Sequence, residues 1–322
     1  MNCYFLNHPR TVMSSASNPS EKSTTPELPF GSPRWLLALL LLVLLFGLAL
    51  LSMRVYRLLT AGDAHVIGAL WGGLAAAGAT ALGTVPVLLF QRFSARVSDT
   101  MLGFGAGVML AASAFSLVLP GLAAAQANGA GRWGAGLTVG LGILMGAALL
   151  LALDRAVPHE HFVKGLEGGW QGGSQALKRA WLFVFAIALH NLPEGLAIGV
   201  GFAGLSQLEA QTLALGISIQ DVPEGLVVAM ALRSVGYSRA LAVGLGVASG
   251  LIEPVAAVFG AAAFGLSAFL LPWGLAAAAG AMLFVVSHEI IPESHRQGHE
   301  AFATGGLMFG FVLMMLLDTA FG

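Results

Sequence analysis

Residues 190–195 read HNLPEG, and residues 220–225 read QDVPEG. Both hexapeptides lie inside long apolar segments. Polar and acidic side chains therefore occupy positions where aliphatic side chains are expected. In a helix, the first and fifth positions of each motif share one face, because residues four apart lie one above the other. The proline of each motif has no N–H group and is expected to kink its helix, which opens space beside the acids.

The composition of the chain indicates a membrane protein. Of its 322 residues, 57% are hydrophobic and 10% are charged, whereas soluble domains carry about 25% charged residues. The net charge of −1 excludes an overall basic field that would recruit nucleic acid. The single cysteine, Cys3, excludes a disulfide within the chain.

Nine apolar runs are each about long enough to cross a ~30 Å hydrocarbon core. They cover roughly 35–54, 64–91, 100–124, 133–153, 181–202, 208–232, 240–266, 268–290 and 301–321. We expect helices, because backbone groups in lipid must be satisfied within the segment and these runs do not alternate as barrel strands do.

The runs divide the chain into three parts. Residues 1–32 are rich in serine, proline and threonine and are predicted to be a disordered tail. Residues 33–57 are predicted to be an extra transmembrane helix rather than a cleaved signal, because the run is too long and no clear cleavage site follows it. Residues 64–322 form the main domain, in which residues 154–180 are expected to be a mobile cytoplasmic loop.

The distribution of basic residues predicts the orientation. With a cytoplasmic N-terminus, 12 of the 15 lysine and arginine residues fall inside, and only Arg54, Arg57 and Arg132 fall outside. Positive charges are retained on the cytoplasmic side, so we expect the C-terminus to be periplasmic.

The three acids of the two motifs need a compensating charge. Glu194, Asp221 and Glu224 lie near mid-span. The free-energy cost of inserting an acid such as aspartate at the centre of a membrane helix is ~2.5–3.5 kcal/mol, even on the scale that gives the lowest costs. No lysine or arginine lies at mid-span to pair with them. We therefore expect a cation from solution, and histidine, carboxylate and amide ligands suit a divalent metal, with zinc first.

Other residues extend this hypothesis. The two motif helices are consecutive and antiparallel on the predicted topology, so a two-fold axis in the membrane plane places Glu194 opposite Glu224. Glu253, before a proline in the seventh span, offers a ligand for a second metal site. His288 and Glu289 stand near the cytoplasmic end of the eighth span, where they offer a weaker site.

Pairs of glycines four residues apart predict close helix packing. They are Gly136 and Gly140, Gly142 and Gly146, and Gly246 and Gly250.

Several functions remain open from the residues alone. An intramembrane metalloprotease typically needs H-E-x-x-H, and His288-Glu289 is followed by IIPES instead. A protein with a fixed structural metal and a selective metal channel are further alternatives to a carrier. The chain has no G-x-x-x-x-G-K-[ST] motif, which argues against an ATP-driven step within it.

The two motifs resemble those of the ZIP (Zrt-, Irt-like protein) family of metal transporters. Glu253-Pro254 and HEIIPE at 288–293 match further family positions, and the resemblance covers about residues 64–322. It implies an all-α polytopic protein with an eight-helix bundle, arranged 3+2+3 with inverted repeats, to which the helix at 33–57 is added. Ser116 is a departure, since many relatives carry histidine or an acid before the proline of the third span.

The resemblance also implies a binuclear metal centre. One site would use His190, Glu194, Gln220 and Glu224; the other would use Asn191, Glu194, Asp221, Glu224 and Glu253. Met109 of the third span is the implied thioether ligand, although the residues alone favour packing for it.

These expectations combine into one functional hypothesis. The chain is predicted to be a transporter rather than an enzyme, which moves Zn²⁺ across a bacterial inner membrane into the cytoplasm by alternating access. Metal would leave past His288 and Glu289. A second, structural zinc ion and Cd²⁺ as a substrate also fit the ligands. Membrane lipid and divalent ions are the expected partners, nucleic acid is not, and a homodimer is left open.

Overall fold

The computed structural model describes residues 34–89, 94–156, 190–234, 236–296 and 298–321. All regular structure in these ranges is helical, which confirms the predicted all-α fold. The helices are α1 (Arg34–Ala61), α2 (Ala64–Leu89, with a break at Val85), α3 (Ala95–Ala127), α4 (Arg132–Ala156), α5 (190–204), α6 (Gln207–Ser234), α7 (Arg239–Phe264, with a turn at Leu251), α8 (Leu271–His295) and α9 (Glu300–Phe321).

Seven helices in the described part of the chain are long and apolar enough to cross a membrane. They are α2, α3, α4, α6, α7, α8 and α9, and their positions agree with seven of the predicted spans. The span predicted at 181–202 is described only from residue 190, as α5. The polytopic fold is therefore confirmed, whereas the number of crossings stays a prediction.

The predicted domain boundaries are only partly within the described residues. The tail at 1–32 lies outside them, and so does the predicted loop apart from 154–156, which continue α4. The extra helix is present as α1 and extends four residues beyond the predicted end at 57. It ends where Gly62 adopts a φ of +74°, a left-handed conformation that favours glycine at helix C-termini.

The chain divides into two compact units, Met1–Phe46 and Gly47–Gly322. The described part of the first unit is the beginning of α1. Within the second unit, the end of α1 is fastened to the bundle by Arg54, whose Nε donates a hydrogen bond of 2.9 Å to the Ala262 carbonyl in the last turn of α7. This carbonyl lacks a partner later in its own helix, so a basic side chain satisfies it well.

Two spanning helices contain a widened, π-helical turn. The first is Ala112–Val118 in α3, and the second is Val286–Ile290 in α8. A proline follows each at the second position of the resumed α-helix, Pro120 and Pro292. Proline cannot donate to the carbonyl four residues earlier, so the widened turns stand where the regular ladder is interrupted.

The spanning helices pack as two groups. One group consists of α2, α5, α6 and α7, and we call it the motif group because it carries both hexapeptides. The other consists of α3, α4, α8 and α9, in which α3 packs on α9 and α4 packs on α8; we call it the flanking group. The groups meet where α3 contacts α6. The two pairs in the flanking group have the pattern expected when the first three and last three bundle helices form inverted repeats.

Glycines set the closest helix contacts. A Cβ added at Gly103 or Gly107 of α3 would lie 2.0 Å from a carbonyl oxygen of α9, and one at Gly306 or Gly310 of α9 would lie 2.2 or 2.1 Å from a carbonyl oxygen of α3. Both helices therefore present glycines four apart at one contact, an arrangement typical of closely packed membrane helices.

The predicted glycine pairs have different outcomes. Gly142 and Gly146 pack against α8, and Gly246 and Gly250 pack against α2, as expected. The prediction is wrong for Gly136 and Gly140, because a Cβ there would meet no described atom within 4 Å. Spacing alone does not show which face of a helix has a neighbour.

Candidate metal centre

The two hexapeptides form the buried centre of the motif group. The described part of α5 begins at His190, and α6 continues without interruption through Pro223. All the polar side chains of the two motifs are buried, with 8% exposure at most, for Glu224. The helical spacing therefore directs them inward, as the sequence predicts.

Three carboxylates of these motifs lie together. Glu194, Asp221 and Glu224 each offer an oxygen within 4.8 Å of the others. The Nε2 of Gln220 donates to Glu194 Oε1 at 2.7 Å and to Asp221 Oδ1 at 2.6 Å. One neutral amide thus lies between two acids that would repel each other if both were ionised.

Glu253 adds a fourth acid from α7. It is fully buried, and it lies close enough to the other three carboxyls to interact with them electrostatically. The close approach depends on Gly195, where an added Cβ would lie 2.5 Å from the Glu253 carbonyl oxygen. Thr80 of α2 orients the side chain by donating from Oγ1 to Glu253 Oε1 at 3.2 Å.

The cluster leaves several oxygens without hydrogen bonds. Within the described residues, no donor reaches one carboxyl oxygen each of Glu194, Asp221, Glu224 and Glu253. None of these four acids forms an ion pair with a described lysine or arginine. Buried acids in such a position are costly unless a cation or protons compensate them, so the donor set fits a divalent metal ion.

The remaining predicted ligands lie around this centre. Asn191 donates from Nδ2 to the Ser249 carbonyl at 3.0 Å, which leaves its Oδ1 as the group available to a cation. Met109 is 2% exposed in α3. It shares a helix face with Gly105, where an added Cβ would lie 3.7 Å from Gln220 Oε1. The face of α3 that carries Met109 thus lies beside the motifs.

Two residues near the end of α8 contact different neighbours. Glu289 Oε2 lies 2.9 Å from His190 Nε2, which joins Glu289 to the centre. His288 instead stacks on Phe284, with ring centroids 4.9 Å apart, because adjacent residues of a helix point in different directions. Helix α8 also continues to His295, beyond the predicted end at 290.

Two polar contacts elsewhere were not predicted. Asp99 is fully buried in α3, and its Oδ2 lies 2.9 Å from His299 Nδ1. Ser116 donates to Asp318 Oδ1 at 2.6 Å beside a cavity of about 630 Å³, which is lined mainly by α3 and also by residues at the ends of α5, α6, α8 and α9. Each contact joins residues some 200 positions apart, so no local sequence pattern indicates it.

Comparison with known proteins finds similarity to zinc transporters. The family model described as ZIP Zinc transporter matches residues 167–318. Zinc transporter ZIPB of Bordetella bronchiseptica is 50% identical over 86% of this chain and 91% of its own length. Zinc transporter GufA of Myxococcus xanthus is 47% identical over 77% of this chain and 97% of its own. Human Zinc transporter ZIP11 is 33% identical over 81% of this chain and 99% of its own. The relatives are named transporters, not enzymes, and with the buried four-acid centre they show that the chain belongs to the ZIP family.

Proposed function

We propose that the chain carries zinc ions across a membrane through the buried centre of the motif group. One observation carries the proposal: four buried carboxyls meet in the bundle, and no described lysine or arginine pairs with them. A divalent cation supplies the missing charge, and imidazole, carboxylate and amide groups suit zinc. The names of the relatives, which are zinc transporters, support the same metal.

The ligands divide into two sites that share their acids. The first site takes His190, Glu194, Gln220 and Glu224, with Met109 as a thioether ligand from α3. The second takes Asn191, Asp221 and Glu253, with Glu194 and Glu224 bridging. The proximity of Glu194, Asp221 and Glu224 supports shared coordination, because ligand atoms within 4.8 Å can reach one small ion or two neighbouring ions. The second ion has a structural role, and cadmium is an alternative substrate for the same ligands.

Gln220 has a specific task in this scheme. Its amide Nε2 donates to Glu194 and Asp221, at 2.7 and 2.6 Å. A metal ion needs the amide oxygen instead, so binding requires the Gln220 side chain to turn and release both carboxylates. The released carboxylates then become ligands.

The proposed direction is into the cytoplasm of a bacterium, across its inner membrane. The excess of basic residues on one side supports a cytoplasmic N-terminus and a periplasmic C-terminus. Zinc enters past Ser116 and Asp318, whose cavity lies at the predicted periplasmic side. It leaves past Glu289, which already contacts His190, and then past His288. A homodimer is compatible with this path.

Zinc uptake by protein reconstituted in liposomes tests the assignment. Glu224→Gln keeps the side-chain shape but removes a bridging charge, so we expect zinc flux to fall at least about tenfold, since even outer-shell partners are worth 10–100-fold in metal affinity. Glu300→Gln is the matched control, because Glu300 is exposed at the start of α9. Equal zinc flux in the wild type and in Glu224→Gln would contradict the assignment of the metal site. Peptide cleavage without flux in wild type would favour a protease.

A further inference from the structure

A second feature of the fold lies on the opposite side of α6 from its acids. An apolar groove of about 700 Å³ runs between α3, α6 and α9. Its walls include Met101 and Phe104 of α3, Ile219 and Val222 of α6, and Phe302 and Phe309 of α9. Phe302 and Phe309 are 52% and 66% exposed, so the groove opens to the surface that the bundle presents to hydrocarbon.

A cationic group stands at one end of this groove. The Cζ of Arg96 lies 5.7 Å from the centroid of the Phe302 ring, in a cation–π contact. Arg96 is exposed, and it pairs with no carboxylate among the described residues. It lies one turn before Thr100, whose hydroxyl donates to the Arg96 carbonyl at 2.6 Å and which also lines the groove.

We propose that this groove binds one phospholipid, with an acyl chain along the phenylalanines and the phosphate on Arg96. A guanidinium pairs well with a phosphate through two parallel hydrogen bonds, and none of the described carboxylates pairs with Arg96. Arg96 lies in the first turn of α3, where the positive end of the helix dipole also favours an anion. The site therefore prefers a lipid with an anionic headgroup over a zwitterionic one.

The lipid site is coupled to the metal centre by position. Ile219, Val222 and Pro223 line the groove, and the proposed ligands Gln220, Asp221 and Glu224 occupy the other positions of residues 219–224 in α6. The groove also lies at the boundary of the two groups, since α3 and α9 flank it on one side and α6 on the other. Relative motion of the two groups must change the shape of the groove, and a bound acyl chain fills that groove. Lipid occupancy therefore affects the rate of zinc transport as well as the binding of zinc.

Native mass spectrometry of the full-length protein in detergent tests the proposal with phosphatidylglycerol and phosphatidylcholine as probes. Wild type is expected to retain one phosphatidylglycerol per chain in preference to phosphatidylcholine. Arg96→Gln is expected to reduce that preference about fivefold, the ratio that ~1 kcal/mol per arginine near an anionic lipid gives. Arg155→Gln is the matched control, because Arg155 is also exposed and has no carboxylate partner among the described residues.

A second pair of variants tests the acyl-chain part of the site. Gly305 lines the groove, and a Cβ added there meets nothing within 4 Å, so the side chain of Gly305→Leu begins in open space and extends into the groove. It is expected to abolish retention of both lipids, whereas Gly136→Leu on α4, which also enters open space, is expected to leave retention unchanged. Unchanged lipid retention in both Arg96→Gln and Gly305→Leu would overturn the proposal. Conversion of a dimer to a monomer by Gly305→Leu, with lipid retained, would overturn it in favour of a second copy of the chain.

Discussion

At the scale of single residues, the metal centre depends on side chains that hold its ligands as well as on the ligands themselves. Glu253 is fully buried beside three other acids, so its orientation depends on the groups that contact it. Thr80 restrains it through one hydrogen bond, from the neighbouring helix α2, while its own hydroxyl also lies 3.3 Å from the Ala76 carbonyl. Partners of this kind fix the orientation of a ligand before the metal arrives, which raises metal affinity.

Replacement of Thr80 by valine is expected to weaken zinc binding about tenfold, because it removes the donor to Glu253 and keeps the shape. Thr80→Ser retains the hydroxyl and is expected to recover most of the affinity. Zinc affinity of the purified protein, measured by calorimetry, checks both expectations.

The control is Thr84→Val on the same helix. Thr84 is also buried, but among the described residues its hydroxyl donates to the nearby Ala81 carbonyl alone, at 2.7 Å. Equal losses of affinity at positions 80 and 84 would indicate disturbed packing of α2 rather than a loss of ligand positioning.

The ligand candidates could be predicted from the sequence because their spacing is local. Glu194 lies four residues from His190, and Glu224 four residues from Gln220, so a helix alone places each pair on one face. Thr80 and Ser249 could not be predicted, because their roles depend on which helix faces which. Glu289 was predicted near the exit, and its contact with His190 was missed for the same reason.

At the scale of helices, glycine contacts decide how closely the bundle packs. In lipid there is no hydrophobic drive between helices, so close backbone approach supplies much of the packing energy. Helices α3 and α9 approach through Gly103 and Gly107 on one side and Gly306 and Gly310 on the other. This contact anchors α9 in the flanking group.

Neighbouring glycines of α9 offer a direct test of that contact. A Cβ at Gly306 would lie 2.2 Å from the Thr100 carbonyl oxygen, whereas one at Gly305 meets nothing within 4 Å. Gly306→Ala is therefore expected to destabilise the protein by about 1–3 kcal/mol, the usual cost of overpacking. Gly305→Ala is expected to have no such cost. The midpoints of thermal unfolding in detergent check the pair, and equal midpoints would mean that α9 can shift to accommodate a methyl group.

Helix positions could be predicted well, whereas their internal irregularities could not. Apolar runs mark the spans, since hydrocarbon imposes a minimum length on each. The widened turn at Val286–Ile290 has no sequence pattern of its own, and it lets α8 continue past Pro292 to His295. Helix α8 extends five residues past the approximate predicted end at 290, because a proline is tolerated at the beginning of a resumed helix.

At the scale of the whole bundle, the two groups of helices suggest how one site can face both sides of the membrane. The proposed ligands of the two motifs and Glu253 all lie in the motif group, whereas Met109 lies in the flanking group. The cavity beside Asp318 is lined by residues of both groups. Relative motion of the groups would therefore open and close access to the site, which is alternating access. A selective channel with a fixed path would need no such motion.

A disulfide between the groups tests whether transport needs their relative motion, at two positions that also line the cavity beside Asp318. A Cβ added at Gly204 of α5 would lie 2.7 Å from Leu271 Cγ of α8, so cysteines at both positions fall near the 3.5–4.5 Å separation of Cβ atoms in disulfides. In a Cys3→Ser background, oxidation of Gly204→Cys/Leu271→Cys is expected to stop zinc flux into liposomes, and reduction is expected to restore it. Zinc binding should persist in the oxidised protein, because neither position touches the metal centre.

The control is Gly121→Cys/Leu275→Cys, which joins α3 and α8 within the flanking group. A Cβ at Gly121 would lie 3.6 Å from Leu275 Cβ, and oxidation of this pair should leave zinc flux unchanged. If the oxidised Gly204→Cys/Leu271→Cys protein transports zinc at the wild-type rate, the groups need not move, and the protein conducts metal as a channel.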